Sequence, residues 1–280
     1  MGRAGVRHPN CRRGTLSIVA SVKVYDGVVL AADSVTSITG TGAQAAQFIK
    51  SYRHARKLFQ LGRLPIGVVI YGVGNFGRRS VENYITEFVA TRVPTFTTDA
   101  QQAVNAVAID LHTFLQTAYT AAFGQLAPND QPVFGLLLAG YTPNNPLPEE
   151  WEFILPADPQ PRLTRPLNEF GSGWRGITLP FMRLYRGFDP RIQQRLVALG
   201  VAQAVVDQVK NEFPNLPIPF DGMPLQDACD FAHFILSTTI YCSRFEVGVA
   251  ACGHPIDLAV ITRAGGFEWI AEKKLKVPSE

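Results

Sequence analysis

"SIVASVKVYDGVVLAADS", residues 17–34, decides how the rest of the chain is read. Residues 17–25 alternate and are rich in strand-forming side chains. Asp26-Gly27 is a strong hairpin signal, and "VVLAAD" returns as a second strand. Just upstream, "RRGTL" (residues 12–16) offers a second hydroxyl, Thr15, close to Ser17. Which of the two opens the working protein matters if chemistry depends on a free amino terminus.

Working outward, residues 35–56 are polar and read as a loop with short strands. "KLFQLG" and "PIGVVIYGVG" give two more strands joined around Gly62 to Pro65. After the glycine-rich "GVGNFG", a helix is expected over 78–91. A second is expected over 99–123, with Ala103, Val107, Leu111 and Leu115 on one face and Asp99 in the first turn. "QPVFGLLLAGY" and "EEWEFILP" form a strand pair around the turn at 142–149, and residues 156–175 read as irregular. Helices are expected at roughly 176–185, 189–213 and 223–241. "IDLAVITRAGGFEWI" closes as a hairpin around Gly265-Gly266. Antiparallel hairpins in separate blocks with paired helices between them predict an α+β fold: a four-layer αββα sandwich of two antiparallel sheets flanked by helices.

The chain has 280 residues, of which 46% are hydrophobic and 18% charged, enough for a sizeable core. The net charge of +3 belongs to the first residues: Arg3, Arg7, Arg12 and Arg13 precede the first acid, and setting them aside leaves 22 cations against 23 anions. No nucleic-acid surface is therefore expected. No apolar run approaches the ~18 residues of a membrane span, and the leader lacks a secretory apolar stretch. Cys11, Cys229, Cys242 and Cys252 show neither metal-ligand spacing nor a dense disulfide pattern, so a cytoplasmic setting without metal or cofactor is the simpler reading.

Four strings in order resemble the proteasome β-subunit family of N-terminal-nucleophile hydrolases, including its bacterial proteasome-like members. "DGVVLAADS" (26–34) looks like the family's second strand, ending in a carboxylate at Asp33. "HARKLFQL" (54–61) resembles the segment bearing the catalytic lysine, here Lys57. "GVVIYGVG" (67–74) is similar to the strand whose glycine N–H forms the oxyanion hole, here Gly72. "CGHPIDLAVITRAGGF" (252–267) resembles the terminal hairpin. "FGSGW" (170–174) is similar to the family's Gly-Ser-Gly loop, which makes Ser172 a candidate for ordering the nucleophile's amine.

The resemblance implies amide-bond hydrolysis by a hydroxyl at the mature N-terminus. A Ser or Thr hydroxyl is a poor nucleophile until a base takes its proton, and the residue's own α-amine can be that base. The amine's ordinary pKa of ~7.7–8.0 suits neutral pH. Lys57 would push it lower by like-charge repulsion, Asp33 would hold Lys57 charged and in place, and the Gly72 N–H would meet the oxyanion. A peptide or unfolded-protein substrate and a homo-oligomer are what the resemblance implies; the sequence does not say whether an ATP-dependent unfoldase is a further partner.

Two first residues compete. Gly14-Thr15 resembles the junction at which proteasome precursors cut themselves. The family's spacing of sixteen residues, counted back from Asp33, lands on Ser17 instead. Residues 1–16 are then a leader, a propeptide or a misassigned start in which Leu16 is read from an alternative start codon, and 17–280 form one hydrolase domain.

Blander roles stand beside these. Asp33 could cap a strand end, Lys57 could be a solvated member of "RHARK" next to Arg56, Gly72 and Gly74 could serve turn geometry, and "GSG" is a common loop string. Ser21 and Ser34 read as strand and edge residues, and His112 and His233 as packing or surface residues. The family's supporting aspartate and serine fall on Val249 and Cys252, a departure that weighs against catalysis. A Cys252–His254 thiol pair is disfavoured because the two are close on a short turn. A non-catalytic assembly subunit and a small-amide amidohydrolase of the same fold remain as alternatives.

Overall fold

The computed structural model describes residues 17–39, 48–212, 215–247 and 250–274. Thr15 and Val249, both weighed above, lie outside the described residues.

The strands β1 (Ile18–Val24) and β2 (Gly27–Ala32) form the expected hairpin, with Val24 opposite Gly27. The turn is therefore Tyr25–Asp26, one residue earlier than the Asp-Gly signal suggests. Gly27 is needed for closeness: a Cβ there would stand 2.8 Å from the Ile261 carbonyl oxygen of a neighbouring strand. A small ribbon follows, β3 (Thr36–Thr39) with β4 (Phe48–Tyr52). Next come β5 (Leu58–Gln60) and β6 (Ile66–Gly72), then the short pair β7 (Asn75–Phe76) and β8 (Arg79–Ser80).

Helix α1 (Val81–Thr91) begins three residues later than expected because Ser80 caps it, its side chain accepting from the Asn83 N–H. The long helix expected over 99–123 is two. Thr98 and Gln101 build a capping box on α2 (Asp99–Gln102), Ala103 turns extended, and α3 runs Val104–Phe123. The Val104 N–H finds its partner in the Thr142 hydroxyl, 38 residues away, so this break has no local signal.

The second half supplies β9 (Phe134–Gly140), β10 (Glu149–Leu155), β11 (Arg162–Leu163) and β12 (Gly171–Gly176). The expectation that 156–175 is irregular is corrected by β11 and β12. The helices are α4 (Leu179–Arg186), α5 (Arg191–Ala198), α6 (Gln203–Glu212) and α7 (Leu225–Phe245). The single helix expected over 189–213 is broken between α5 and α6, where Gly200 takes φ +89°. Strands β13 (Asp257–Thr262) and β14 (Gly266–Ala271) close the chain as a hairpin.

Two antiparallel sheets result, ordered β12-β1-β2-β13-β14 and β11-β10-β9-β6-β5. Helices α4 and α7 cover the outer face of the first through Ile18, Ala20, Val22, Phe181, Ile235 and their neighbours. Helices α1 and α3 cover the outer face of the second through Ile66, Val68, Phe88, Leu111, Leu136 and Phe153. Val19, Leu30, Val69, Leu137 and Ala259 meet between the sheets. This is the αββα sandwich the pattern predicted. Being covered on both faces, β1 is buried at every residue, and its alternation separates two interiors rather than core from solvent. Each large aliphatic residue so buried contributes about 1.5–3 kcal/mol.

Candidate active site

The β1–β2 register sets the first half of the site. Ile18 falls opposite Asp33: the Asp33 N–H donates to the Ile18 carbonyl (3.1 Å), and the Ile18 N–H donates to Asp33 Oδ1 (3.0 Å). Asp33 is fully buried, and its second oxygen accepts the Val35 N–H (3.0 Å) and the Gly253 N–H (3.2 Å). The carboxylate is thus fixed by three backbone amides from three segments.

The second half comes from the facing sheet. Lys57 immediately precedes β5, where its carbonyl accepts the Ile70 N–H (2.9 Å), and its side chain crosses between the sheets. Lys57 Nζ donates to Asp33 Oδ1 (2.7 Å) and to Ser17 Oγ (2.8 Å). Ser17 is 2% exposed and Lys57 5%. Removing one partner from such an ion pair would leave the other charged and desolvated, a cost of about 3–5 kcal/mol. The three side chains therefore hold as a unit. Ser17, and not its neighbour Ile18, faces this group because residues 17, 19, 21 and 23 share the inner face of β1.

Gly72 ends β6 at φ +89°, and a Cβ there would stand 2.2 Å from the Val133 carbonyl oxygen. The Val73 N–H donates to that same oxygen (2.9 Å), which makes Gly72–Phe134 a non-hydrogen-bonded pair of the ladder. The Gly72 N–H consequently points away from β9, toward the β5 edge and the side from which Lys57 comes. Behind it, the Tyr71 hydroxyl donates to Glu152 Oε1 (2.7 Å), to which Arg175 Nε also donates (2.8 Å). Burial, then the adjacent Glu152, hold the Tyr71 phenol well above its ordinary value. Burial opposes charge on Glu152, but Arg175, the Tyr71 hydroxyl and Arg162 together outweigh it and keep the carboxyl below the usual range.

Ser172 is placed elsewhere. In the β1–β12 register it pairs with Val22, whereas Ser17 lies just beyond the Ile18–Gly176 pair. The strand therefore separates it from Ser17 by five residues of rise, roughly 16 Å. The segment that does abut Ser17 is Gly176-Ile177, whose Ile177 N–H donates to the Ser17 carbonyl (2.8 Å). The signal for this was the glycine just before the Leu-Pro helix start, not the Gly-Ser-Gly string.

The thiol alternative loses its geometry. Cys252 is buried near Asp33 and Lys57, and desolvation followed by the Asp33 charge pushes its thiol up to about 12. His254 is exposed and packs its ring 5.9 Å from that of Tyr241. His112 is buried against Phe153, and His233 is exposed. Ser34 and Asp257, neither singled out as functional from sequence, border the site together with Lys273. Among the described residues no cluster of His, Cys, Asp or Glu could hold a metal ion, and no helix is long and apolar enough to cross a membrane.

The fold is a sandwich of the proteasome-like type. Solved structures similar to it are Anbu (ancestral β-subunit) proteins. That of Yersinia bercovieri matches with TM-score 0.54 at 13% identity over 91% of this chain and 87% of its own. That of Pseudomonas aeruginosa, a helical assembly of the Anbu complex, matches with TM-score 0.54 at 16% identity over 92% and 88%. A Gly-1 mutant of Anbu from Hyphomicrobium sp. strain MC1 matches with TM-score 0.54 at 15% identity over 94% and 89%. At these identities the likeness is one of fold. No family model and no curated protein sequence matches the chain. The assignment to the proteasome β-subunit family is thereby corrected: the neighbours are Anbu proteins, which share the proteasome-like fold as a distinct group.

Proposed function

We propose that the chain is an N-terminal-nucleophile hydrolase of amide bonds whose working form, residues 17–280, begins at Ser17. The observation that carries this reading is the contact of Lys57 Nζ with both Ser17 Oγ (2.8 Å) and Asp33 (2.7 Å), all three side chains buried between the sheets.

An ammonium paired to a carboxylate has no lone pair with which to accept a proton. The base for the Ser17 hydroxyl is therefore the residue's own α-amine, once no residue precedes it. Ser17 Oγ attacks the amide carbon while its proton passes to that amine. Lys57 donates to the oxygen as negative charge gathers on it, and the Gly72 N–H meets the oxyanion on the carbonyl. Collapse of the tetrahedral adduct expels the amine leaving group with the transferred proton and leaves an ester on Ser17, which water hydrolyses. Thr15 would have to reach Lys57 from two residues upstream, whereas the Ser17 hydroxyl is within its reach.

The substrate class proposed is a peptide or an unfolded protein, acted on by a homo-oligomer. Support for self-association is the helical assembly formed by the similar Anbu complex of Pseudomonas aeruginosa.

The test is a chain produced with Ser17 as its first residue, confirmed by intact mass, and treated with an electrophile that reacts with both hydroxyl and amine of an N-terminal residue. One adduct on Ser17, lost in Ser17→Ala, is expected. The absence of an adduct in the Ser17-first chain would leave a non-catalytic assembly subunit. Turnover of small amides but not of unfolded protein would reassign the substrate.

A further inference from the structure

Beside the Ser17–Lys57–Asp33 group lies a second buried set of the same three residue types. Lys273, just after β14, pairs with Asp257 at the start of β13 and donates from Nζ to Ser34 Oγ (2.8 Å). Its backbone N–H also donates to Asp257 Oδ1 (2.9 Å). Asp257 and Ser34 are 1% and 0% exposed. Ser34 is the residue next to Asp33, so the two sets share one stretch of backbone.

Ser34 is not a second nucleophile. It sits mid-chain, where its own nitrogen is tied up in a peptide bond and cannot act as the base, and its hydroxyl proton is committed to the Pro255 carbonyl. Its position suits a different task. The Ser34 N–H donates to the Gly253 carbonyl (3.1 Å), and the Gly253 N–H donates to Asp33 Oδ2 (3.2 Å). Ser34 thus ties the 253–255 segment to the end of β2 at two points, and that segment supplies one of the donors fixing Asp33. Lys273 in turn fixes the Ser34 hydroxyl.

We propose that Lys273 is a positioning residue for the Ser17 site, acting through Ser34 and the Gly253 segment to hold the Asp33 carboxylate, and so the Lys57 ammonium, in register with Ser17 Oγ. This rests on the function proposed above. The groups facing Lys273 are Asp257 from β13 and Asp33 with Ser34 from the end of β2, with Lys57 beyond them. Its sequence neighbour Glu272 is separately occupied by Arg56 (3.0 Å). Burial lowers the Lys273 pKa, Asp257 and then Asp33 oppose that, and Lys57 adds to it, so the ammonium is coupled to both charged members of the site. A buried pair kept at such a place also orders the segment from which it hangs. Replacing both charges with neutral groups removes the tether without stranding a charge.

The experiment compares the Ser17-first protein with its Lys273→Met variant and the charge-neutral Asp257→Asn/Lys273→Met double variant. Hydrogen exchange is read at the amides of Ile18, Val35 and Gly253, which need no catalysis to report. The double variant is expected to fold, to exchange at Val35 and Gly253 at least about tenfold faster, and to label Ser17 about tenfold to a hundredfold more slowly. Its pH profile should keep the wild-type rising limb, because the net charge near the amine is unchanged. Lys273→Met alone, with Asp257 unpaired, should move that limb upward by roughly half a pH unit. Wild-type exchange and wild-type labelling in the double variant would overturn the proposal. If the wild type does not label at all, the hydrolase reading fails, and exchange at Val35 and Gly253 still decides the role of Lys273.

Discussion

Gly176 has no room for a side chain beside Ser17: a Cβ on it would stand 1.9 Å from the Ser17 carbonyl oxygen, and its φ is +91°. Backbone meets backbone at this point, so neither partner can rotate out of the way. Gly176→Ala should therefore displace the start of β1 from β12 and cost more than conformational strain alone. Gly187 provides the comparison, with φ +75° and no atom within 4 Å of its Cβ position. Gly187→Ala is expected to cost about 1 kcal/mol and Gly176→Ala at least about 2–3 kcal/mol by denaturant unfolding. Only the second should slow Ser17 labelling. Equal costs at both sites would show that the contact with Ser17 has no energetic weight.

The Lys57 contact predicts a difference between substitutions that keep and remove the donor. Lys57→Met removes the donor to Ser17 Oγ and strands Asp33, which still receives three amide hydrogen bonds. Labelling should fall by about a hundredfold to a thousandfold while the cooperative unfolding transition survives at lower denaturant. Lys57→Arg keeps a cation but places a planar fork where a compact ammonium serves two acceptors, so it should restore stability more than reactivity. Labelling of Lys57→Met at the wild-type rate would remove Lys57 from the mechanism.

The parts of this site that were legible in sequence are those whose partners are close along the chain or carried by a regular pattern. The tight hairpin brings Ser17 and Asp33 together, and the Lys57 and Gly72 strings flank consecutive strands of one sheet. What was hidden is set by distant contacts. The β12 segment "GSGWRG" has three glycines and an arginine, a poor strand by composition. It extends because β1 pairs with it, and its glycines leave space: a Cβ on Gly171 or Gly173 would stand 2.5 or 2.2 Å from the guanidinium of Arg165 or Arg175. The break before α3 depends on Thr142, and the contacts of Lys273 are with Asp257 and Ser34, neither near it in sequence. The Gly-Ser-Gly string misled because the register that excludes Ser172 is a property of the folded sheet alone.

Thiol protection gives a pH-dependent prediction. Cys252, pushed up to about 12, and Cys229, pushed up to about 11, are both buried, whereas Cys242 is exposed. In the Ser17-first chain, which lacks Cys11, iodoacetamide at pH 8.5 should modify Cys242 and spare Cys229 and Cys252 until the chain unfolds. The linkage sign follows from the raised folded value. With an unfolded value near 9, the contribution of Cys252 is complete below pH 9 and drains away as pH rises through about 12, because only the unfolded chain then releases the proton. Cys252→Ala should therefore lose less stability than wild type between pH 9 and 12, measured as the denaturant midpoint. An identical pH slope in the two proteins would show that the thiol is not protected as the fold requires.

Tyr71 and Gly135 are cross-strand partners, and the ring lies so close over the glycine that a Cβ on Gly135 would stand 2.0 Å from it. The glycine lets the ring cross β9 and reach Glu152 on β10, just behind the Gly72 amide. Tyr71→Phe removes one hydrogen bond but leaves Glu152 paired with Arg175, so about 1 kcal/mol is expected. Gly135→Ala instead drives the ring out of its place and should cost about 2–3 kcal/mol while disturbing the end of β6 that carries Gly72. Because the two residues touch, their effects should not add: Tyr71→Ala frees the space above position 135, and Gly135→Ala in that background should cost much less than in wild type. A double-mutant cycle with a coupling energy near zero would mean that the ring does not occupy the site over Gly135. The Gly72 amide would then owe its direction to the β6–β9 ladder alone.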